Sequence, residues 1–387
     1  MRFIIALLVF LFASTVEADG LIRTTDLKKY CGQEGINRQT VIYLDQSIIA
    51  KKDPNWFRDI LNKAKFLPGE RVQIVTIKDG SSTVEQAWDA CYPAYTPENY
   101  SVLKKDEGFG SVFTGGIDDA IKNDNKAFTM RLQQALAHPL QETRHEQAPK
   151  YKSEFPRKKL VEAFYYDSKR LDLKSGIARV IVFSDMIENS DLVKHALFDP
   201  VKDSVSVSNR FPVFFNHASF YIYGINYTNS DTALNEKMER FWRQYFIKSG
   251  AEISHYGTQL VLPRDDGMFS AKSYKGKLTQ SDGKRLATSM RLAYLPNGDL
   301  IHSWLAVGDN FMTLSGNMSC SGQNCEVEAK IKESGFEYFK PNDVVKLSGT
   351  LSEMRGQIGA RDDSVIDEKG KIYRFDIEFG QDSILSM

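Results

Sequence analysis

The sequence predicts an α/β chain in two parts: a doubly wound, mostly parallel sheet over residues 38–262, then a small antiparallel β barrel or sandwich over residues 265–387. Three observations predict it. Apolar strand-like runs alternate with amphipathic helix-like runs as far as Leu262, the pattern of a parallel sheet covered on both faces. Beyond Pro263 the helical period disappears, and short runs that alternate apolar with charged residues follow one another. Between those runs stand turn sequences: "PNGD" at Pro296–Asp299, "SGQN" at Ser321–Asn324 and "DEKGK" at Asp367–Lys371.

The chain of 387 residues opens with "MRFIIALLVFLFASTVEADG". Arg2, an apolar core from Phe3 to Ala13 and the small-residue pattern Val16-Glu17-Ala18 predict a signal peptide over residues 1–18, cut after Ala18. The alternative is a retained N-terminal anchor. Residues 19–37 form an N-terminal arm. No later segment is apolar enough to span a bilayer, so no transmembrane segment is expected after cleavage. The remaining chain of about 370 residues suffices for two domains.

In the first part, "TVIYLDQS" reads as a strand running into a loop, and Asp53-Pro54 as the start of a helix over "PNWFRDILNKAKFL". "ERVQIVTI" is the next strand. The stretch between Thr83 and Gly116 reads as irregular and aromatic-rich. "DNKAFTMRLQQALAHPL" is a helix ending near Pro139, and "QETRHEQAPKYKSEF" a polar loop. A helix starting near Pro156 follows, "PRKKLVEAFYYDSKRLDL", then the strand "ARVIVFSDM" and the strand "ASFYIYGINY". A long helix, "ALNEKMERFWRQYFIKSG", ends at Gly250, and "TQLVL" at Thr258–Leu262 reads as a last edge strand. The second part offers seven strands: "FSAKSYKGKLTQ", "RLATSMRLAYLP", "DLIHSWLAVG", "FMTLSGNMS", "CEVEAKIKE", "VVKLSGTLSE" and "KIYRFDIEFG".

Four cysteines, an even number in an exported chain, predict two disulfides. Cys320 and Cys325 flank the "SGQN" turn and should staple a hairpin. By elimination Cys31 pairs with Cys91. The spacing matches no zinc motif. Fifty Lys plus Arg balance fifty Asp plus Glu. That neutrality argues against a nucleic-acid partner and against a polybasic membrane-surface protein.

The chemistry concentrates where strands end. Asp45 and Ser47 follow the first strand, and Asp185 follows "VIVFS". If both strands are central, two carboxylates and a hydroxyl converge on the crevice where open α/β sheets bind ligands. Hard oxygen donors of this kind suit Mg²⁺ or Ca²⁺. The alternative is structural: both carboxylates cap neighbouring helices and bond backbone amides.

The order of elements, the apolar strand ending in Asp-x-Ser and the later "VIVFSDM" resemble a von Willebrand factor A domain over roughly residues 38–255. The resemblance implies a metal-ion-dependent adhesion site in degenerate form. Asp45 and Ser47 match its first two positions and Asp185 its last, while Ile49 stands where the family has a third oxygen ligand. The family's distant Thr should precede the helix near Pro156, where Thr143 and Ser153 are available; Ser153 is the nearer. The metal set so implied is Asp45, Ser47, Asp185 and Ser153, holding Mg²⁺ or Ca²⁺ and completed by an acidic side chain of a partner.

The function this implies is that of an exported, noncatalytic adhesion or assembly protein, periplasmic or secreted, whose partner is another envelope or extracellular protein. Two alternatives belong to other classes. Tyr274, Tyr294, Trp304, Phe311, Phe336, Tyr338 and Phe339 could line a barrel that binds a small apolar molecule or a sugar, with core packing the default. Asp45 and Asp185 could serve a carboxylate- or metal-dependent hydrolase. Against an enzyme, no Gly-x-Ser-x-Gly, phosphate-binding loop or dinucleotide fingerprint is present.

Overall fold

A computed structural model describes residues 26–33, 38–49, 56–107, 116–145, 157–171, 177–193, 198–213, 215, 217–227, 231–263, 269–280, 283–308, 310–335, 338–359, 365–366, 372–373 and 375–381. The expected signal peptide, Ser153 and Phe336 lie outside them.

A six-stranded sheet is built from β1 (Arg38–Asp45), β2 (Arg71–Ile77), β3 (Val84–Cys91), β4 (Ile177–Phe183), β5 (Ser219–Tyr223) and β6 (Glu252–Gly257), in the order β3-β2-β1-β4-β5-β6. All neighbours are parallel except β2 and β3. The central strands are buried on both faces, and alternate residues enter different cores. Val41, Tyr43, Val180 and Val182 join one, and Ile42, Leu44, Ile181 and Phe183 the other.

The helices are α1 (Gln46–Ile49), α2 (Trp56–Lys63), α3 (Pro97–Lys105), α4 (Ile117–His145), α5 (Leu160–Arg170), α6 (Pro200–Arg210) and α7 (Thr232–Lys248). The first core is closed by α5 and α7, through Leu160, Phe164, Phe241 and Trp242. The second is closed by α2 and α4, through Trp56, Ile60, Phe128 and Leu136. Helices therefore cover both faces of the sheet.

Several expectations are corrected. The "irregular" stretch after Thr83 holds the antiparallel edge strand β3 and the helix α3, which has no buried residue. Polar residues on β3 hid a strand that buries little more than its end. Pro139 lies inside α4 and does not stop it; one missing main-chain donor need not end a long helix. The last edge strand is β6, six residues upstream of "TQLVL". The helix α5 starts at Leu160 because Lys158 is bridged to Asn189 in strand-like pairing. The helix α6 had not been expected; its Asp199 cap accepts from the amides of Val201 and Lys202.

The second part is a closed eight-stranded antiparallel barrel. It comprises β7 (Ser270–Gln280), β8 (Arg285–Tyr294), β9 (Ser303–Val307), β10 (Asn310–Ser321), β11 (Asn324–Ser334), β12 (Val344–Gly349), β13 (Glu353–Gly359) and, after the two-residue pair β14 (Val365–Ile366) and β15 (Ile372–Tyr373), β16 (Phe375–Gln381). The strand missed in the sequence is β13, where Gly356 and exposed charges interrupt the apolar alternation. Gly356 and Gly276 are where the barrel coils tightly: a Cβ there would stand 1.8 Å from the Lys346 carbonyl and 1.9 Å from that of Glu378. The interior is filled by apolar side chains, among them Tyr274, Leu305, Met312, Val327, Leu347 and Phe379.

Both predicted disulfides are present, Cys31–Cys91 and Cys320–Cys325. The first ties a 3₁₀ turn at Leu27–Tyr30 to the end of β3; the second joins facing residues of the β10–β11 hairpin.

The barrel packs against the amino-terminal edge of the sheet. Ile247, at the end of α7, meets Trp304, Ala306 and Phe311, and Ile177, the first residue of β4, meets Phe269 and Ala293. Arg243 pairs with Glu333 at 2.6 Å, and Lys248 Nζ donates to the Gly335 carbonyl. Trp304 and Phe311 thus serve the joint between the two bodies and not a barrel interior, a correction to their grouping with Tyr274 and Phe339, which do face the barrel core.

Candidate functional site

The strands β1 and β4 are neighbours, and the chain leaves them toward opposite sides of the sheet. Their carboxyl ends therefore open a crevice. Asp45 closes β1, and Ser184 and Asp185 follow β4. Asp45 and Asp185 lie there as the sequence predicts, Ser184 stands between them, and Ser47 joins them from α1.

Each carboxylate first satisfies its own turn. Asp45 Oδ1 accepts from the Ser47 amide at 3.0 Å and from Ser47 Oγ at 2.6 Å. Asp185 Oδ1 accepts from the Ile187 amide at 3.1 Å. These bonds to an amide two residues on are the ordinary habit of Asp at a turn. Ser184 Oγ then donates across the strands to Asp45 Oδ2 at 2.7 Å, and accepts from the Met186 amide. Met186 itself sits in the left-handed region at φ 56°, wholly buried, with its carbonyl receiving the Trp242 indole N–H. That conformation is uncommon for a side chain of this size and is held by the surrounding core.

The residue missed in the sequence is Lys158. Its Nζ lies 2.5 Å from Asp185 Oδ1 and 3.1 Å from Asp45 Oδ2, so one ammonium bridges the two carboxylates. Asp45, Asp185 and Lys158 are only 2%, 1% and 5% exposed. Burial alone would pull the lysine's pKa down, but the two carboxylates outweigh it and hold the pKa above the ordinary value. Its main chain is fixed by reciprocal hydrogen bonds with Asn189, which fold the segment before α5 back over the crevice. In sequence, "PRKKL" looks like the polar first turn of a helix; nothing local shows that one of its lysines turns inward.

Beside the triad, buried Glu188 accepts from the Val161 amide at the start of α5 at 3.0 Å. Burial pushes its carboxyl up to about 7. Over the triad lies an exposed lip: Arg157 paired with Asp191, and the β2–β3 loop, whose Asp79 amide donates to Gln46. Gly80 of that loop approaches the Arg157 carbonyl.

The donor set does not fit the Mg²⁺ or Ca²⁺ that the family resemblance implies. A divalent ion would need to stand roughly 2.0–2.6 Å from these oxygens, in the space the ammonium fills. Ile49 is buried in the core and offers nothing. Thr143 falls in the last turns of α4, and Ser153 lies outside the described residues. Among the described residues, no group of three or more His, Cys, Asp and Glu is placed to hold a metal ion.

The fold and site together define a mixed α/β protein with a closed ion triad at a sheet edge, joined to an antiparallel barrel. No protein-family model matches the chain, and no curated protein matches it. Among solved structures, the crystal structure of the human COPII-coat protein Sec24c is similar at 10% identity and a TM-score of 0.32. The alignment covers 91% of this chain and 45% of that one, so the chain spans under half of that protein's length.

Proposed function

We propose that the chain is an exported, noncatalytic binding protein, with a von Willebrand factor A-like sheet domain that engages another envelope or extracellular protein at its carboxyl-end lip. The observation that carries this reading is the convergence of Asp45, Ser47 and Asp185 at the edge of the sheet away from the described barrel contacts. The named contacts of the barrel all lie at the opposite edge. The strand order with a single antiparallel edge strand supports the A-like assignment. The two disulfides support export to an oxidising compartment, periplasmic or extracellular. No described helix is long and apolar enough to cross a membrane.

In this reading the triad is a clamp and the lip makes the contact. Arg157, Asp191 and Asp79 present charges of both signs, which favour register and specificity over raw affinity. The barrel is a spacer or second contact; its described interior is filled by its own side chains. The test is site-specific photo-crosslinking in the source cells, with the probe at Asp79 or Asp191, or at Glu353 on the barrel wall. A discrete product from the lip positions, lost on Arg157→Glu in folded protein, is expected. No product from the lip, with a strong one from the barrel wall, would move the binding function to the barrel.

A further inference from the structure

We infer that Lys158 is a tethered replacement for the divalent cation of an adhesion-type site, so that the crevice is metal-independent by construction and becomes a metal site when that lysine is removed. The inference uses the A-like reading only to name the position of the cation. The geometry stands without it, and the experiment needs no partner.

Three features carry the inference. The ammonium stands between the two carboxylates that the strand ends bring together, 2.5 and 3.1 Å from their oxygens, where a metal would have to sit. Two neutral hydroxyls also lie at the carboxylates, but turned to the protein's own use: Ser47 Oγ and Ser184 Oγ both donate to Asp45. Finally, the lysine is not a surface residue that happens to reach in. Its backbone is pinned to Asn189 on both sides of the peptide, and the chain turns from that bridge directly into α5.

The charge count explains how a monovalent cation suffices. Among these three side chains, two carboxylates with one ammonium leave a single negative charge in a buried place, a costly arrangement unless hydrogen bonds or other partners satisfy it. The amides of Ser47 and Ile187 and the hydroxyls of Ser47 and Ser184 supply those bonds. A covalently attached cation also carries no binding equilibrium, so the loops around the crevice stay in place whatever the ion content of the compartment. The domain would keep the ordered edge of an adhesion fold without its switch.

The experiment measures melting of the oxidised mature protein and of Lys158→Ser and Lys158→Thr variants, in EDTA and then in millimolar Mg²⁺, Ca²⁺ or Mn²⁺. Bound Mn²⁺ is counted independently by electron paramagnetic resonance. The natural chain should melt at the same temperature in all buffers and immobilise no Mn²⁺. The variants should melt lower in EDTA, recover roughly 5 °C with a saturating ion and bind one Mn²⁺, which Asp45→Ala in the same background removes. If a variant folds only with the ion present, the support is the same. A melting shift or an immobilised Mn²⁺ in the natural chain that Asp45→Ala abolishes would overturn the inference, as would folded variants that bind no ion. Loss of partner binding in the lip variants bears on the proposed function and leaves this result untouched.

Discussion

The strands β1 and β4 carry opposite charge arrangements at their two ends. At the amino end, Arg38 and Arg179 converge on Glu70; at the carboxyl end, Asp45 and Asp185 converge on Lys158. Both triads are buried. The amino-end triad is saturated: Glu70 accepts from Arg38, Arg179, Thr40 and the Leu67 amide, and both guanidinium groups also donate to the Lys65 carbonyl. Phe66 lies against Arg179, and the barrel packs over that edge. The carboxyl-end triad instead lies below an exposed lip, at the edge opposite the described barrel contacts. Similar electrostatics thus serve two purposes. One triad seals a joint, and the other holds open-sheet loops in the place where ligands ordinarily bind.

The largest effect is expected at the sealed end. Glu70→Ala leaves two buried guanidinium groups without their carboxylate and should cost about 4 kcal/mol or more, enough to prevent folding in a marginal protein. Urea denaturation followed by circular dichroism reads it. A Glu70→Gln protein as stable as the natural chain to within about 1 kcal/mol would show that the carboxylate's charge matters little there, and the comparison would fail.

The next effect is at the open end. Lys158→Met, which keeps the length and removes the charge, should cost about 3 kcal/mol in metal-free buffer. The loss is smaller than at Glu70 because Asp45 retains two serine hydroxyls and an amide as donors, and Asp185 retains the Ile187 amide. The same denaturation experiment, run beside Glu70→Ala, gives the order directly. A greater loss at Lys158 would mean that the lysine, and not the ladder of turns around the aspartates, organises the crevice.

The comparison also shows what the sequence reveals and what it hides. Asp45, Ser47 and Asp185 are legible because a carboxylate after an apolar strand has one place to be once the strand is central. The disulfides are legible because four cysteines and one tight turn leave a single sensible pairing. Lys158 is hidden because its role depends on pairing with Asn189, a contact across 31 positions that leaves no periodicity behind. Arg38 and Arg179 are hidden for a similar reason: arginine at the start of a strand reads as solvent-facing until the partner, Glu70, is known. Trp304 and Phe311 misled because β9 and the start of β10 are buried on both faces, one toward the barrel core and one toward the joint, so apolar character there does not tell inside from outside.

Titration sharpens the contrast further, because Glu188 at one end and His217 at the other are displaced from their ordinary values in opposite senses. At the carboxyl end, burial raises Glu188 to about 7 in the folded state. Above its unfolded value the unfolded chain gives up the proton first, so stability falls as pH rises from about 4.5 to 7. The loss by pH 8 is of order 3 kcal/mol. Glu188→Gln, which can still accept from the Val161 amide, should abolish that slope, as stability curves at pH 5 and pH 8 would reveal. An unchanged slope would mean that Glu188 titrates as it does in the unfolded chain.

At the amino end the sense is reversed, and the effect is the smallest. His217 lies just before β5, at the edge the barrel covers, with its ring 3.9 Å from that of Trp304 and 4.6 Å from that of Phe311. Burial, aided by the charge of Arg291, lowers its pKa to about 3. The unfolded chain takes up this proton near pH 6.5 and the folded chain does not, so stability is lost as pH falls below about 6.5. The ring is half-buried, so the effect at pH 5 is discounted to about 1–2 kcal/mol. Between about pH 4.5 and 6.5 the Glu188 and His217 contributions oppose each other, and the natural chain should show a shallow profile. Glu188→Gln should then expose the acid-side loss due to His217, and adding His217→Phe, which keeps an aromatic ring in the joint, should flatten the curve again. A double variant that still loses stability between pH 6.5 and 5 as steeply as Glu188→Gln alone would place the acid-sensitive group elsewhere, and the joint would no longer be the pH-sensitive end of the sheet.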